Sequence, residues 1–208
     1  MKNAIIFFFS ILLFAACKKD FEGIEIKGRI TEVGSGKPVA GAKVFIIGIG
    51  PGDGFLSPGN GNESIVDTVF SNENGDYRFR REDSPFGGYR IIIKRDKYQD
   101  KYPSRGIDWH SVNTFDIQLQ PYAWVKIHLK NVNNISNFSW VKLNGSWINW
   151  ESDKYVLNAK NLDQIIFETL LGNKSQKFTL KNYTTNINID TSVIFLPAHD
   201  TIPINFYF

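Results

Sequence analysis

Ile24-Glu25-Ile26-Lys27-Gly28-Arg29-Ile30-Thr31 alternates apolar and polar side chains, the period of a strand with one buried face. Gly34-Ser35-Gly36-Lys37-Pro38-Val39 follows as a turn, with glycine supplying positive φ and proline presetting its own. Gly41-Ala42-Lys43-Val44-Phe45-Ile46-Ile47 is a second strand. Asp67-Thr68-Val69-Phe70 then leads through Ser71-Asn72-Glu73-Asn74-Gly75-Asp76 into Tyr77-Arg78-Phe79. Asn-Gly between two alternating runs predicts a hairpin. Gly88-Tyr89-Arg90-Ile91-Ile92-Ile93-Lys94 is a further strand, and Phe115-Asp116-Ile117-Gln118-Leu119 closes the set.

Taken in order, Gly28, Gly36, Pro38, Gly41, Ala42, Gly75, Tyr77 and Phe79 form a pattern that resembles the carboxypeptidase regulatory-like domain. The resemblance covers residues 23–120 and implies a transthyretin-like β-sandwich of about seven strands. In that family the domain is a non-catalytic companion or spacer. Residues 48–63 depart from the pattern as a loop rich in Gly and Pro. Long loops of this kind are either functional or disordered. Its Asp53, Asn60, Asn62 and Glu63 match no calcium-loop spacing, so no metal is assigned.

Gln120-Pro121-Tyr122 reads as a linker, and residues 123–208 as a second β unit. Trp124-Val125-Lys126-Ile127-His128-Leu129-Lys130 alternates. Val193–Leu196 and Ile202–Phe208 are the last strands expected, with Pro203 placing the final one at a sheet edge or strand start. Turns at short, regular intervals fit an immunoglobulin-like sandwich. The high aromatic content of 14% agrees with strands throughout. The fold class expected is therefore all-β, two tandem β-sandwiches, transthyretin-like and then immunoglobulin-like, after a signal peptide.

The first sixteen residues read as that signal peptide: Lys2, then an apolar run from Ala4 to Phe14, then Ala15-Ala16. The run is shorter than the roughly 20 residues that span a bilayer. Small residues before the only cysteine, Cys17, resemble the lipobox of bacterial lipoproteins, although Phe14 stands where Leu is usual. The resemblance implies cleavage before Cys17 and acylation of it, palmitate included, so that residues 17–22 tether the protein to the outer membrane of the cell envelope. A free exported thiol, the alternative, tends to pair between molecules. Lys18-Lys19-Asp20-Phe21-Glu22 is either a solvated tether or similar to a surface-export tag, which leaves the surface-exposed and periplasmic sides both open.

No catalytic constellation emerges. His110, His128 and His199 are not spaced as zinc ligands, and nucleophile-elbow, phosphate-loop and dinucleotide signatures are missing from the sequence. No catalytic residue, metal or cofactor is expected. Loss of Lys2 with the leader takes one unit from a formal net charge of +3, too little positive charge for a nucleic-acid partner. Aromatics are the stronger lead. Phe138 to Trp150 reads as a hairpin turning at Asn144-Gly145. One face then carries Val141, Leu143, Ile148 and Trp150, and the other carries Trp140, Lys142, Trp147 and Asn149. That second face is either a contact surface for a glycan or an envelope protein, or packing beneath the other sheet or the first domain. A one-residue slip exchanges the faces. Trp109 is placed at the junction between the halves. The function expected is a non-enzymatic, lipid-anchored binding or spacer module, or alternatively a glycan- or nutrient-binding accessory of an outer-membrane uptake system.

Overall fold

The computed structural model describes residues 23–50, 63–83, 86–103, 106–107, 110–133, 140–144, 154–157, 161–182 and 187–208. Within them the chain is all-β, with fourteen strands in two successive sandwiches. In the first, β1 (Ile24–Glu32) pairs antiparallel with β4 (Asp76–Arg81) and parallel with the short β6 (Val112–Thr114) and β7 (Ile117–Leu119). The facing sheet has the order β3 (Glu63–Phe70), β2 (Lys43–Ile49), β5 (Gly88–Lys94). Ile24, Ile26 and Ile30 of β1 interdigitate with Val44 and Ile46 of β2 and Ile91 and Ile93 of β5, so one core joins both sheets. The alternation visible in the sequence is the alternation of burial in β5, and in β1 apart from Glu25, which is buried although charged.

Asn74-Gly75 is a turn, but not the expected hairpin. β3 pairs with β2, and β4 pairs with β1, so the turn carries the chain from one sheet to the other. The Asn72 side chain accepts the backbone N–H groups of Asn74 and Asp76, both at 2.9 Å. Gly75 has φ 79°; its N–H donates to the Asn72 carbonyl at 2.9 Å, and its own carbonyl accepts the Ile30 N–H at 2.8 Å. Ser71 closes the crossing. Its buried hydroxyl donates to the Val39 carbonyl at 2.7 Å and accepts the Ala42 N–H at 2.9 Å. Ser71→Ala leaves both groups buried and unpaired, a loss of about 2 kcal/mol measurable by urea unfolding.

The second sandwich stacks a three-stranded sheet, β11 (Asp163–Leu171), β8 (Tyr122–Lys130), β14 (Thr201–Tyr207), on a four-stranded one. The latter has the order β10 (Lys154–Leu157), β9 (Trp140–Asn144), β12 (Lys174–Asn182), β13 (Ile187–Leu196). Val125, Ile127 and Leu129 of β8, with Phe206 of β14, meet Phe178 and Leu180 of β12 in a separate core. Pro203 lies in β14, which runs parallel to β8 and, among the described residues, has no second neighbour in its sheet, the edge position that a residue without an N–H tolerates.

The expected hairpin at Asn144-Gly145 is corrected. β9 pairs with β10, Lys142 lying opposite Tyr155 and Val141 opposite Val156, and its other edge pairs with β12. Both edges of Val141–Leu143 are thus occupied, by β10 and β12, and residues 145–150 lie outside the described residues. The Asn-Gly signal was local and strong, but strands farther along the chain took both edges.

Candidate functional site

Of the residues singled out in the sequence, Cys17, Trp147, Asn149 and Trp109 lie outside the described residues, as does the loop from 51 to 62. Trp140 and Lys142 are placed only as backbone within β9. The described structure brings together two other groups of side chains.

The first is a polar clasp between the sandwiches. Glu32, at the C-terminal end of β1, is 6% exposed. Its carboxylate accepts hydrogen bonds from Ser35 Oγ (2.6 Å), Tyr98 OH (2.9 Å), Asn173 Nδ2 (3.0 Å) and His199 Nε2 (3.1 Å). Ser35 and Tyr98 belong to the first sandwich; Asn173 and His199 belong to turns of the second. Both turn residues take positive φ, 52° and 61°, a backbone that Asn and His accept more readily than most. Asn173 also donates to the Val33 carbonyl at 2.9 Å, and its Oδ1 accepts the Ala198 N–H at 3.1 Å. The Tyr98 and His199 rings meet edge to face at 4.8 Å. Around this clasp the Gly172 N–H donates to the Pro121 carbonyl and the His199 N–H to that of Tyr122, both at 2.8 Å.

Burial pushes the Glu32 carboxyl up, but the four donors together outweigh it and hold it below the usual carboxylate range. Burial and the neighbouring Glu32 charge push the Tyr98 phenol up, so it remains a donor. The clasp is therefore anionic and stable as such. It also differs from a nucleophilic triad. The Ser35 hydroxyl and the His199 imidazole both point at the carboxylate, so the imidazole takes no proton from the serine.

The sign of the pH dependence follows from the lowered carboxyl. The stabilisation is complete above the unfolded value of about 4.5 and is lost as pH falls through the lower folded value. The inter-sandwich contact should therefore loosen in acid, below about pH 4.5, and be insensitive to pH just above it. Glu32→Ala strands four donors and is expected to cost about 3 kcal/mol. Calorimetry should show one transition in the parent splitting into two in the variant; a single unshifted transition refutes the clasp.

The second group is the outer face of the β11–β8–β14 sheet. Register places Phe167 beside Lys126, Ile165 beside His128 and Asp163 beside Lys130. Across β8, Asn205 lies beside His128 and Tyr207 beside Lys130. Phe167 is 67% exposed and Tyr207 56%. The Lys126 ammonium lies 5.9 Å from the Phe167 ring centre, and that of Lys97 lies 5.9 Å from the Trp124 ring. His128 stands edge-on to Tyr207 at 5.6 Å and bonds Asp163 at 2.6 Å. Hydrogen bonds from His128 and Lys130 hold the Asp163 carboxyl below its ordinary range.

No family model matches this chain. No curated protein matches it either. Among solved structures, the TIE protein of Bacillus anthracis is 15% identical with a TM-score of 0.38, over 89% of this chain and 34% of that one. The present chain thus spans about a third of that protein's length. GBS52, the minor pilin of Streptococcus agalactiae, is 11% identical with a TM-score of 0.36, over 88% of this chain and 94% of that one. A DUF3823 family protein from Parabacteroides merdae is 12% identical with a TM-score of 0.31, over 86% of this chain and all of that one. The β-sandwich architecture rests on the strand pairing described above.

The sequence reading missed the clasp and the outer face. Glu32 is not singled out there. The face did leave a signal in the alternation of Trp124, Lys126, His128 and Lys130, but its flanks, β11 and β14, are named only by the pairing.

Proposed function

We propose that this protein is a non-enzymatic module of the cell envelope, anchored to the outer membrane through acylated Cys17. Its first sandwich is of the carboxypeptidase regulatory-like kind, and the two sandwiches act together as a rigid spacer that presents a binding surface. The observation that carries this reading is the Glu32 clasp. β1 starts at Ile24, close behind the proposed tether, and ends at Glu32, where the second sandwich is held. Nine extended residues cover about 30 Å. A clasp at the far end of β1 holds the second sandwich away from the point of attachment.

Three carboxylates suit a structural role. Arg78 holds Glu25 below its ordinary range against the opposing effect of burial, while Glu32 and Asp163 are also lowered. A general acid needs the reverse shift.

The test is the mass of the N-terminal fragment from protein taken out of its native envelope, with Cys17→Ala in parallel. An acylated fragment beginning at Cys17 is expected, and the variant should leave the membrane fraction. An unacylated N-terminus, or undiminished membrane retention of Cys17→Ala, overturns the anchor. The alternative of a glycan- or nutrient-binding accessory draws on the exposed aromatics of the β11–β8–β14 face.

A further inference from the structure

We propose that the outer face of the β11–β8–β14 sheet binds an acidic polysaccharide, its sugar rings stacked on Phe167 and Tyr207 and its carboxylate or sulfate groups on Lys126 and Lys130. The proposal deepens the binding reading above and rests on it. Successive outward residues along a strand are about 7 Å apart, and neighbouring strands about 4.8 Å. The four outward positions of β8, from Trp124 to Lys130, therefore make a platform roughly 20 Å long, with one strand on either side.

Its apolar area is divided. Phe167, with the exposed Ile165 next to it on β11, lies on one side of β8 and Tyr207 on the other, and His128 and Asn205 separate the two rings. A dry protein interface concentrates its apolar residues at a centre. Separated flat rings with polar groups between them instead match a chain of sugars, each offering an apolar ring face edged with hydroxyls.

Charge selects the kind of sugar. Lys97, Lys126 and Lys130 border the rings, and among the described residues only Lys130 is ion-paired with a carboxylate, that of Asp163. Asp163 is shared with His128, so the cations exceed the anions on this face. A second copy of the chain is disfavoured by the same count. A two-fold contact would press one net positive face against another. An anionic polymer is the complementary occupant, and each lysine already positioned over an aromatic ring is held for it.

The experiment is affinity electrophoresis of the whole mature chain through gels containing chondroitin sulfate or polygalacturonate, with a neutral β-glucan as control. Retardation by at least one acidic polymer and none by the neutral one is expected. Phe167→Ala and Lys126→Met should each weaken it about tenfold or more, with melting temperature unchanged because both side chains are exposed. Lys43→Met, on β2 of the first sandwich, should leave it unaltered. Three results overturn the proposal: no retardation by either acidic polymer, equal retardation by the neutral glucan, or equal weakening by Lys43→Met, which would reduce the effect to net charge. Self-association abolished by Phe167→Ala would also overturn it, by assigning the face to a second copy. None of these results touches the Cys17 mass measurement, so failure here and failure of the anchor are read separately.

Discussion

Gly28→Ala will unfold the first sandwich at a temperature roughly 12–24 °C below the parent, for a loss of about 3 kcal/mol or more. The reason is a backbone crossing. β6 and β7 both pair with β1 in parallel, at Glu25–Lys27 and at Ile30–Glu32. Between them the chain passes directly over Gly28. A methyl group there would lie 1.9 Å from the Phe115 carbonyl oxygen and 2.5 Å from its carbon. That carbonyl cannot easily retreat. It accepts the buried Tyr77 hydroxyl at 2.9 Å, and the Phe115 N–H donates to the Lys27 carbonyl at 2.8 Å. The alanine must therefore break the β1 register or the Tyr77 bond. A variant that melts within two degrees or so of the parent by circular dichroism would mean that the crossing yields cheaply.

Phe206→Ala is the second large effect, with an expected loss of about 3–5 kcal/mol. Phe206 is fully buried on the last strand and lies in register with Leu129. It packs in the core that also contains Phe178 and Leu180 from the facing sheet. Among the described residues β14 pairs with β8 alone. Removing its main anchor both opens a cavity and loosens the strand that displays Tyr207. Four of the five tryptophans, Trp124, Trp140, Trp147 and Trp150, belong to the second half of the chain, so fluorescence follows that sandwich. The fluorescence transition should move to much lower urea. An unmoved midpoint would show that the second core does not depend on this ring.

The two variants act on different cores, so their costs should add, apart from what passes through the Glu32 clasp. In the Glu32→Ala background each sandwich should lose its dependence on the other.

Much of the first sandwich was legible from residue order. The period of two at Ile24, Ile26 and Ile30 marks which side chains enter the core, whereas Gly28 was legible only as one position of the family-like pattern, and the backbone that crosses it was not. The turn at Asn74-Gly75 was also legible, but its consequence was not. A tight turn dictates that the chain reverses, and it does not dictate whether the returning strand joins the same sheet. That choice went to β1, whose Ile26 and Gly28 stand opposite Phe79 and Tyr77 across the ladder. The Asn144-Gly145 signal is of the same kind: it is local, while the edges of β9 are taken by β10 and β12.

Strand periodicity, turn positions, the two halves and the edge placement of Pro203 are local properties, because each depends on the side chains of a few neighbouring residues. The clasp and the aromatic face are not. Glu32 gathers Tyr98, Asn173 and His199 from 66, 141 and 167 residues away. Phe167 and Tyr207 share a face only because β8 separates their strands in one sheet. Hydrogen-bond partners and shared surfaces at that separation follow from which strand edges find each other, a choice made by the energy of the whole core and therefore decided only in three dimensions.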